Sequence, residues 1–286
     1  MYGLRMLWSN AVISVAASAC VLRSWSLLYG TQPAGFRPWI FAAGIGAATW
    51  LAYTWQRHVK STRPDGLREE HSQWLQNHHT KLRWVGLLLA PAACIPLVQT
   101  IASAGDALPT APVLFVGLLT AGLLTLLYAG LPGIGGVHLA LRRWPRLKLM
   151  WIGLTWSIVT TLWPALLNTA ASFANEDVFL MALERALVIM ALTLPFDLRD
   201  RNWDAPAMKT LPQAWGTRGT RITAAAMLIL AALVSTKAAH GNLVFGAGPL
   251  MMVPAVAFAH ERRSAWYFVM LDAALVADAA LVMTLV

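Results

Sequence analysis

Long apolar runs separated by short polar connections occupy the whole chain. A helix needs about 20 mainly apolar residues to cross the hydrocarbon core of a bilayer. Nine runs approach or reach this length and predict nine transmembrane helices. They cover residues 10–28, 38–55, 82–104, 111–131, 149–167, 175 to the acidic stretch that begins at 197, 222–238, 243–259 and 266–286.

The composition supports this interpretation. The chain is 58% hydrophobic and only 12% charged, with a mean hydropathy of +0.57, whereas soluble domains carry about 25% charged residues. We therefore predict an all-α fold, a single integral membrane domain over residues 1–286, with membrane lipids around it. Cys20 and Cys94 both lie in apolar runs, which is typical of small buried side chains.

The basic residues predict an orientation. The net charge is +9, and Lys and Arg gather in alternate connections between the apolar runs. All but four of the 22 lie on one side, and the exceptions are Arg23, Arg37, Arg185 and Lys237. Because cytoplasmic loops are rich in Lys and Arg, we expect a cytoplasmic N-terminus and a C-terminus on the opposite side of the cell (inner) membrane. This bias accounts for the positive charge, so no nucleic-acid partner is expected.

The connection after the sixth run contains Asp197, Asp200 and Asp204, at positions i, i+3 and i+7. If the helix continues through them, they lie within about 60° of one face. Carboxylates this close repel one another unless a cation lies between them, and Mg²⁺ bound with substrate phosphates is a natural partner. Arg199, Arg201 and Lys209 are candidates for contacts with phosphate oxygens. The alternative is a solvated loop in which Asp197 and Asp200 pair with Arg201 and Lys209.

These residues resemble the second Asp-rich motif of the UbiA superfamily of intramembrane prenyltransferases. The similar elements are Asp197-x-x-Asp200-x-x-x-Asp204, Lys209-Thr210-Leu211-Pro212 and Trp215-Gly216. The predicted layout of nine helices, with long polar connections after the second and sixth, is similar too. The resemblance implies transfer of an isoprenyl group from its diphosphate to an aromatic or other lipid acceptor. It also implies that Asp197, Asp200 and Asp204 are the catalytic, Mg²⁺-binding acids.

The first Asp-rich motif of that superfamily has no counterpart here. At the end of the second run the chain reads Tyr53-Thr54-Trp55-Gln56-Arg57-His58-Val59-Lys60-Ser61, without a carboxylate. Gln56 is a neutral substitute for an acid. The residues expected to bind the diphosphate are Arg57, Lys60, Arg201 and Lys209, and those expected to line the cavity are Tyr53, Gln56 and Asp272.

Other charged residues lie inside the predicted spans, where charge is costly and usually faces the bundle interior. Asp272 is expected to face the cavity or to pair with a neighbouring helix. Glu184, nearer the far side, is expected to be exposed there. Residues 67–82 predict a surface helix with Leu67, Trp74, Leu75 and Leu82 facing lipid.

The predicted function is therefore that of a UbiA-like membrane prenyltransferase of the bacterial inner membrane, using isoprenyl diphosphate and Mg²⁺. The alternative is a catalytically inactive member of the same fold that binds an isoprenoid or another lipid. A third interpretation, a secondary transporter that uses Asp197 and Asp272 for ion coupling, is weaker. Transporter sites lie near the midplane of the membrane, whereas these acids gather at one surface.

Overall fold

The computed structural model describes residues 2–29, 38–61, 69–103, 111–129, 147–167, 176–201, 210–260 and 265–285. This part of the chain forms nine helices and contains no strand. They are α1 (Tyr2–Tyr29), α2 (Pro38–Ser61), α3 (Glu69–Ser103), α4 (Ala111–Ala129), α5 (Lys148–Leu166), α6 (Glu176–Asp200), α7 (Leu211–Ala238), α8 (Val244–Ala257) and α9 (Ala265–Leu285). The all-α prediction is confirmed.

Six of these helices are long and apolar enough to cross a membrane. The segments are Ser9–Leu28, Ser72–Gln99, Lys148–Leu166, Glu176–Asp200, Leu211–Ala238 and Tyr267–Leu285. Two shorter apolar helices cover Phe115–Tyr128 and Val244–Ala257. The described helices therefore have the length and composition of a polytopic membrane protein.

α6 lies at the centre of the bundle. It packs between α5 and α7, and Val188, Ala191 and Leu194 on it are completely buried. α1 packs against α2 and α9, and α7 packs against α8. The core is therefore assembled around α6, whose last turn carries the acidic motif.

α3 and α4 expose large apolar side chains. Leu88 on α3 is 78% exposed and Phe115 on α4 is 66% exposed, as expected of helices that face lipid. α3 nevertheless approaches α2 closely, because a Cβ at Gly44 would lie only 2.7 Å from Pro96 Cγ. Glycine at this position is what permits the contact between the two helices.

The prediction of a surface helix over residues 67–82 is wrong in two respects. Within the described residues, α3 runs without interruption from Glu69 to Ser103. Leu75 is only 2% exposed, and with Trp74 it borders a small cavity that Asn10 and Arg57 also line. This segment therefore covers the ends of α1 and α2 instead of lying free on the membrane surface.

The Thr210-Leu211-Pro212 sequence has a local structural role. Thr210 is the N-cap of α7, and its backbone N–H donates a hydrogen bond of 3.0 Å to Gln213 Oε1. Proline suits the first turn of a helix because its missing N–H has no intrahelical partner there. Gly216 then kinks α7 at φ 65°, a conformation that favours glycine.

Candidate polar site at the end of α6

Asp197 is held in an ion pair between α5 and α6. Lys148 Nζ, in the first residue of α5, lies 2.5 Å from Asp197 Oδ1. Asp197 is only 5% exposed, so this carboxylate needs a compensating charge. From the sequence, Lys148 was only one of the basic residues in the connection between two predicted spans. Its position directly before an apolar run was the one signal that it lies near a helix end.

Asp200, in the last turn of α6, forms a bidentate salt bridge with its neighbour Arg199. Arg199 Nε lies 2.7 Å from Asp200 Oδ1, and Arg199 Nη2 lies 2.9 Å from Oδ2. The Arg199 guanidinium also lies 4.7 Å from the centre of the Phe268 ring on α9. A guanidinium over an aromatic face is stabilised by the ring quadrupole. Arg199 therefore links the acidic end of α6 to α9.

α2 contributes the basic side of the site. Arg57 Nη2 donates a 3.0 Å hydrogen bond to Ser9 Oγ on α1. Burial lowers the pKa of Arg57 to about 10, and the negative charge of Asp272 opposes this shift. Arg57 therefore lies close enough to Asp272 on α9 for their charges to interact.

Gln56 and Lys60 face another neighbour, α4. Gln56 Nε2 donates a 3.4 Å hydrogen bond to the Thr125 carbonyl, and Lys60 Nζ lies 5.4 Å from the centre of the Tyr128 ring. The charge of Lys60 still acts on Asp200. Gln56 is thus engaged with the backbone of α4.

Asp272 on α9 lies near basic residues of both α2 and α6. It is 9% exposed, and its charged neighbours are Arg57 on α2 and Arg199 on α6. Tyr53, one turn before Arg57, also lies within electrostatic range of Asp272 and hydrogen-bonds with Trp156 on α5. The structure therefore brings four predicted residues (Tyr53, Arg57, Asp200 and Asp272) to one end of the bundle.

Two predicted residues, Asp204 and Lys209, lie outside the described residues. Arg201 lies in the turn that follows α6. Among the described residues, no three His, Cys, Asp or Glu side chains are grouped closely enough to hold a metal ion. Asp197 and Asp200 as described do not form an open metal site, since each is already paired with a cation.

Glu184 is not exposed at the far side as predicted. It is 1% exposed, and Arg185 beside it is completely buried. Glu184 is paired with Arg23 of α1, a partner that the sequence does not reveal because the two residues lie far apart in the chain.

Comparison with protein-family models gives no match to this chain, and comparison with curated proteins gives none.

Proposed function

We propose that this protein is a UbiA-like prenyltransferase of the inner membrane, with nine transmembrane helices and a cytoplasmic N-terminus. It transfers an isoprenyl group from its diphosphate to an aromatic or lipid acceptor. The observation that carries the proposal is the convergence of Arg57 on α2, the Arg199–Asp200 pair on α6 and Asp272 on α9. Asp200 belongs to the stretch that resembles the second Asp-rich motif of the superfamily.

The polar site at the end of α6 suits a substrate with a charged head group and an apolar tail. Loss of diphosphate develops negative charge on the leaving group, and fixed cations stabilise that charge in the transition state. Arg57 on α2, Lys148 on α5 and Arg199 on α6 supply cations at this end. Beyond them lies the apolar core around α6, where Val188 and Leu194 are completely buried.

Magnesium enters the proposal through the resemblance. For Mg²⁺ to bind Asp197 and Asp200, Lys148 and Arg199 must leave these carboxylates. When bound, the metal would neutralise charge on the diphosphate; the residues described here bind and orient the head group with or without it.

A specific observation favours the second candidate, a lipid-binding member of the same fold without transfer activity. Both described acids of the motif are already neutralised by cations, and residues 53–61 contain no carboxylate. Such a protein would hold an isoprenoid head group by its cations and never release diphosphate.

Diphosphate release separates the two candidates. Purified protein is incubated with farnesyl diphosphate and a membrane lipid extract, with and without Mg²⁺. The transferase proposal predicts Mg²⁺-dependent release that falls at least tenfold in Asp200→Ala and is unchanged in Asp177→Ala, at the opposite end of α6. Saturable binding without release supports the lipid-binding protein, and release that survives Asp200→Ala contradicts the proposed site.

A further inference from the structure

A second group of charged side chains lies inside the bundle. Arg23 on α1, Glu184 and Arg185 on α6 and Asp278 on α9 are each no more than 1% exposed. At about 1.5 Å per residue, Glu184 lies about 20 Å along α6 from Asp197. This interior cluster is therefore separate from the polar site at the end of α6.

Arg23 holds the interior cluster together. Its Nη1 lies 3.2 Å from Glu184 Oε2, and its Nε lies 2.9 Å from Asp278 Oδ2. Its Nη2 donates a 3.2 Å hydrogen bond to Ser235 Oγ on α7. On α8, a Cβ at Gly248 would collide with Asp278 Oδ1. Five helices therefore meet around these charges.

The hydrogen-bond donors of Arg185 are only partly satisfied. Its Nη1 contacts Cys20 Sγ at 3.1 Å, and a thiol is a weak acceptor. Among the described residues, Arg185 Nε and Nη2 have no hydrogen-bond partner. These two N–H groups point the same way from the planar guanidinium, as the fork that binds a carboxylate with two parallel hydrogen bonds.

The net charge of the interior cluster limits the charge of the ligand that it can accept. Glu184 Oε1 and Asp278 Oδ1 also have no hydrogen-bond partner among the described residues. Two guanidiniums and two carboxylates sum to zero, so an anion added at Arg185 leaves a net negative charge, which is costly inside a membrane. One proton taken up by a carboxylate restores neutrality. A singly charged anion needs one such proton, whereas a doubly charged phosphate needs two.

We propose that Arg185, Glu184 and Asp278 form a binding site for a small monocarboxylate, which enters together with one proton. The ligand oxygens accept hydrogen bonds from Arg185 Nε and Nη2. The proton binds Glu184 Oε1 or Asp278 Oδ1, and no covalent bond of the ligand changes.

A π-helical segment of α5, Ile158–Leu162, packs against α1 and α6. Thr161 in that segment lies 3.2 Å from Ser24, the neighbour of Arg23, measured between their hydroxyl oxygens. Short π-helical segments inside α-helices frequently occur at functional sites.

Isothermal titration calorimetry with acetate tests the proposal on the full-length protein in lipid nanodiscs. Titration in two buffers of different ionisation enthalpy measures the protons taken up per acetate. We expect saturable binding with uptake of about one proton, and an affinity that therefore falls about tenfold for each unit rise in pH.

Arg185→Lys is the decisive variant, because it keeps the positive charge but has no side-on fork. We expect it to weaken acetate binding at least tenfold, while Lys237→Gln at the exposed end of α7 leaves binding unchanged. Absence of acetate binding in the wild type, binding without proton uptake, or equal binding in Arg185→Lys would each overturn the proposal. If Arg185→Lys fails to fold, the wild-type proton count decides alone. The assay contains no diphosphate, so its failure would leave the proposal for the end of α6 untouched.

Discussion

Lys148 and Asp197 form an ion pair that joins the first residue of α5 to the last turns of α6. Their nitrogen and oxygen lie 2.5 Å apart, and their side chains are 15% and 7% exposed. A pair this well shielded from water is costly to break, because the remaining charge is left without compensation. This contact fixes the acidic motif against its neighbouring helix.

Lys148→Met should therefore destabilise the protein. The buried Asp197 carboxylate loses its cation, and we expect a loss of about 1–3 kcal/mol in the free energy of unfolding, less than for a completely buried pair. Denaturant unfolding in mild detergent measures it. The double variant Lys148→Met/Asp197→Asn should recover most of the loss. The matched control Lys237→Met, at the exposed pair with Glu176, should change little, and equal losses in both single variants would contradict this account.

Arg199→Lys should reduce diphosphate release about tenfold if the transferase proposal holds. Lysine keeps the charge but loses the bidentate salt bridge with Asp200 and the stacking of the planar guanidinium on the Phe268 ring. Steady-state release from farnesyl diphosphate measures the effect, with Arg83→Lys on the exposed part of α3 as control. Unchanged kinetics in Arg199→Lys would remove this residue from the site.

Asp272→Asn should strengthen binding of an isoprenyl diphosphate. The substitution removes a negative charge near Arg57 and Arg199, so the polar end becomes more positive. We expect affinity to increase up to about tenfold, with a smaller gain at high salt. Fluorescence titration measures the affinity. Weaker binding in Asp272→Asn than in Asp177→Asn would mean that the Asp272 carboxylate itself contacts the ligand.

Gly44→Ala should destabilise the contact between α2 and α3. The added methyl group meets Pro96 and the Ala92 carbonyl, and overpacking of this kind costs about 1–3 kcal/mol. Gly122→Ala on α4 is the control, because a Cβ there meets nothing within 4 Å and alanine favours the helix. Thermal unfolding should rank Gly44→Ala below the wild type and Gly122→Ala at or above it.

The apolar runs predicted the helices well, because segment length and hydropathy are local properties of the chain. Pairing between helices is different. The sequence pointed to Asp272 as a residue facing the bundle, but it did not reveal that Lys148 pairs with Asp197 or that Arg23 pairs with Glu184. Such contacts depend on how helices distant in sequence rotate against one another. The start of α3 was also missed, since its polar first turns pack against α1 and α2 despite their low hydropathy.

The central claim is that the polar site at the end of α6 holds the head group of an isoprenyl diphosphate. Equilibrium binding of the unreactive farnesyl thiodiphosphate to the wild type, Arg57→Gln and Lys237→Gln tests it most directly. We predict saturable binding that weakens at least tenfold in Arg57→Gln and is unchanged in Lys237→Gln. Equal affinity in all three proteins, or no binding to the wild type, would contradict the claim.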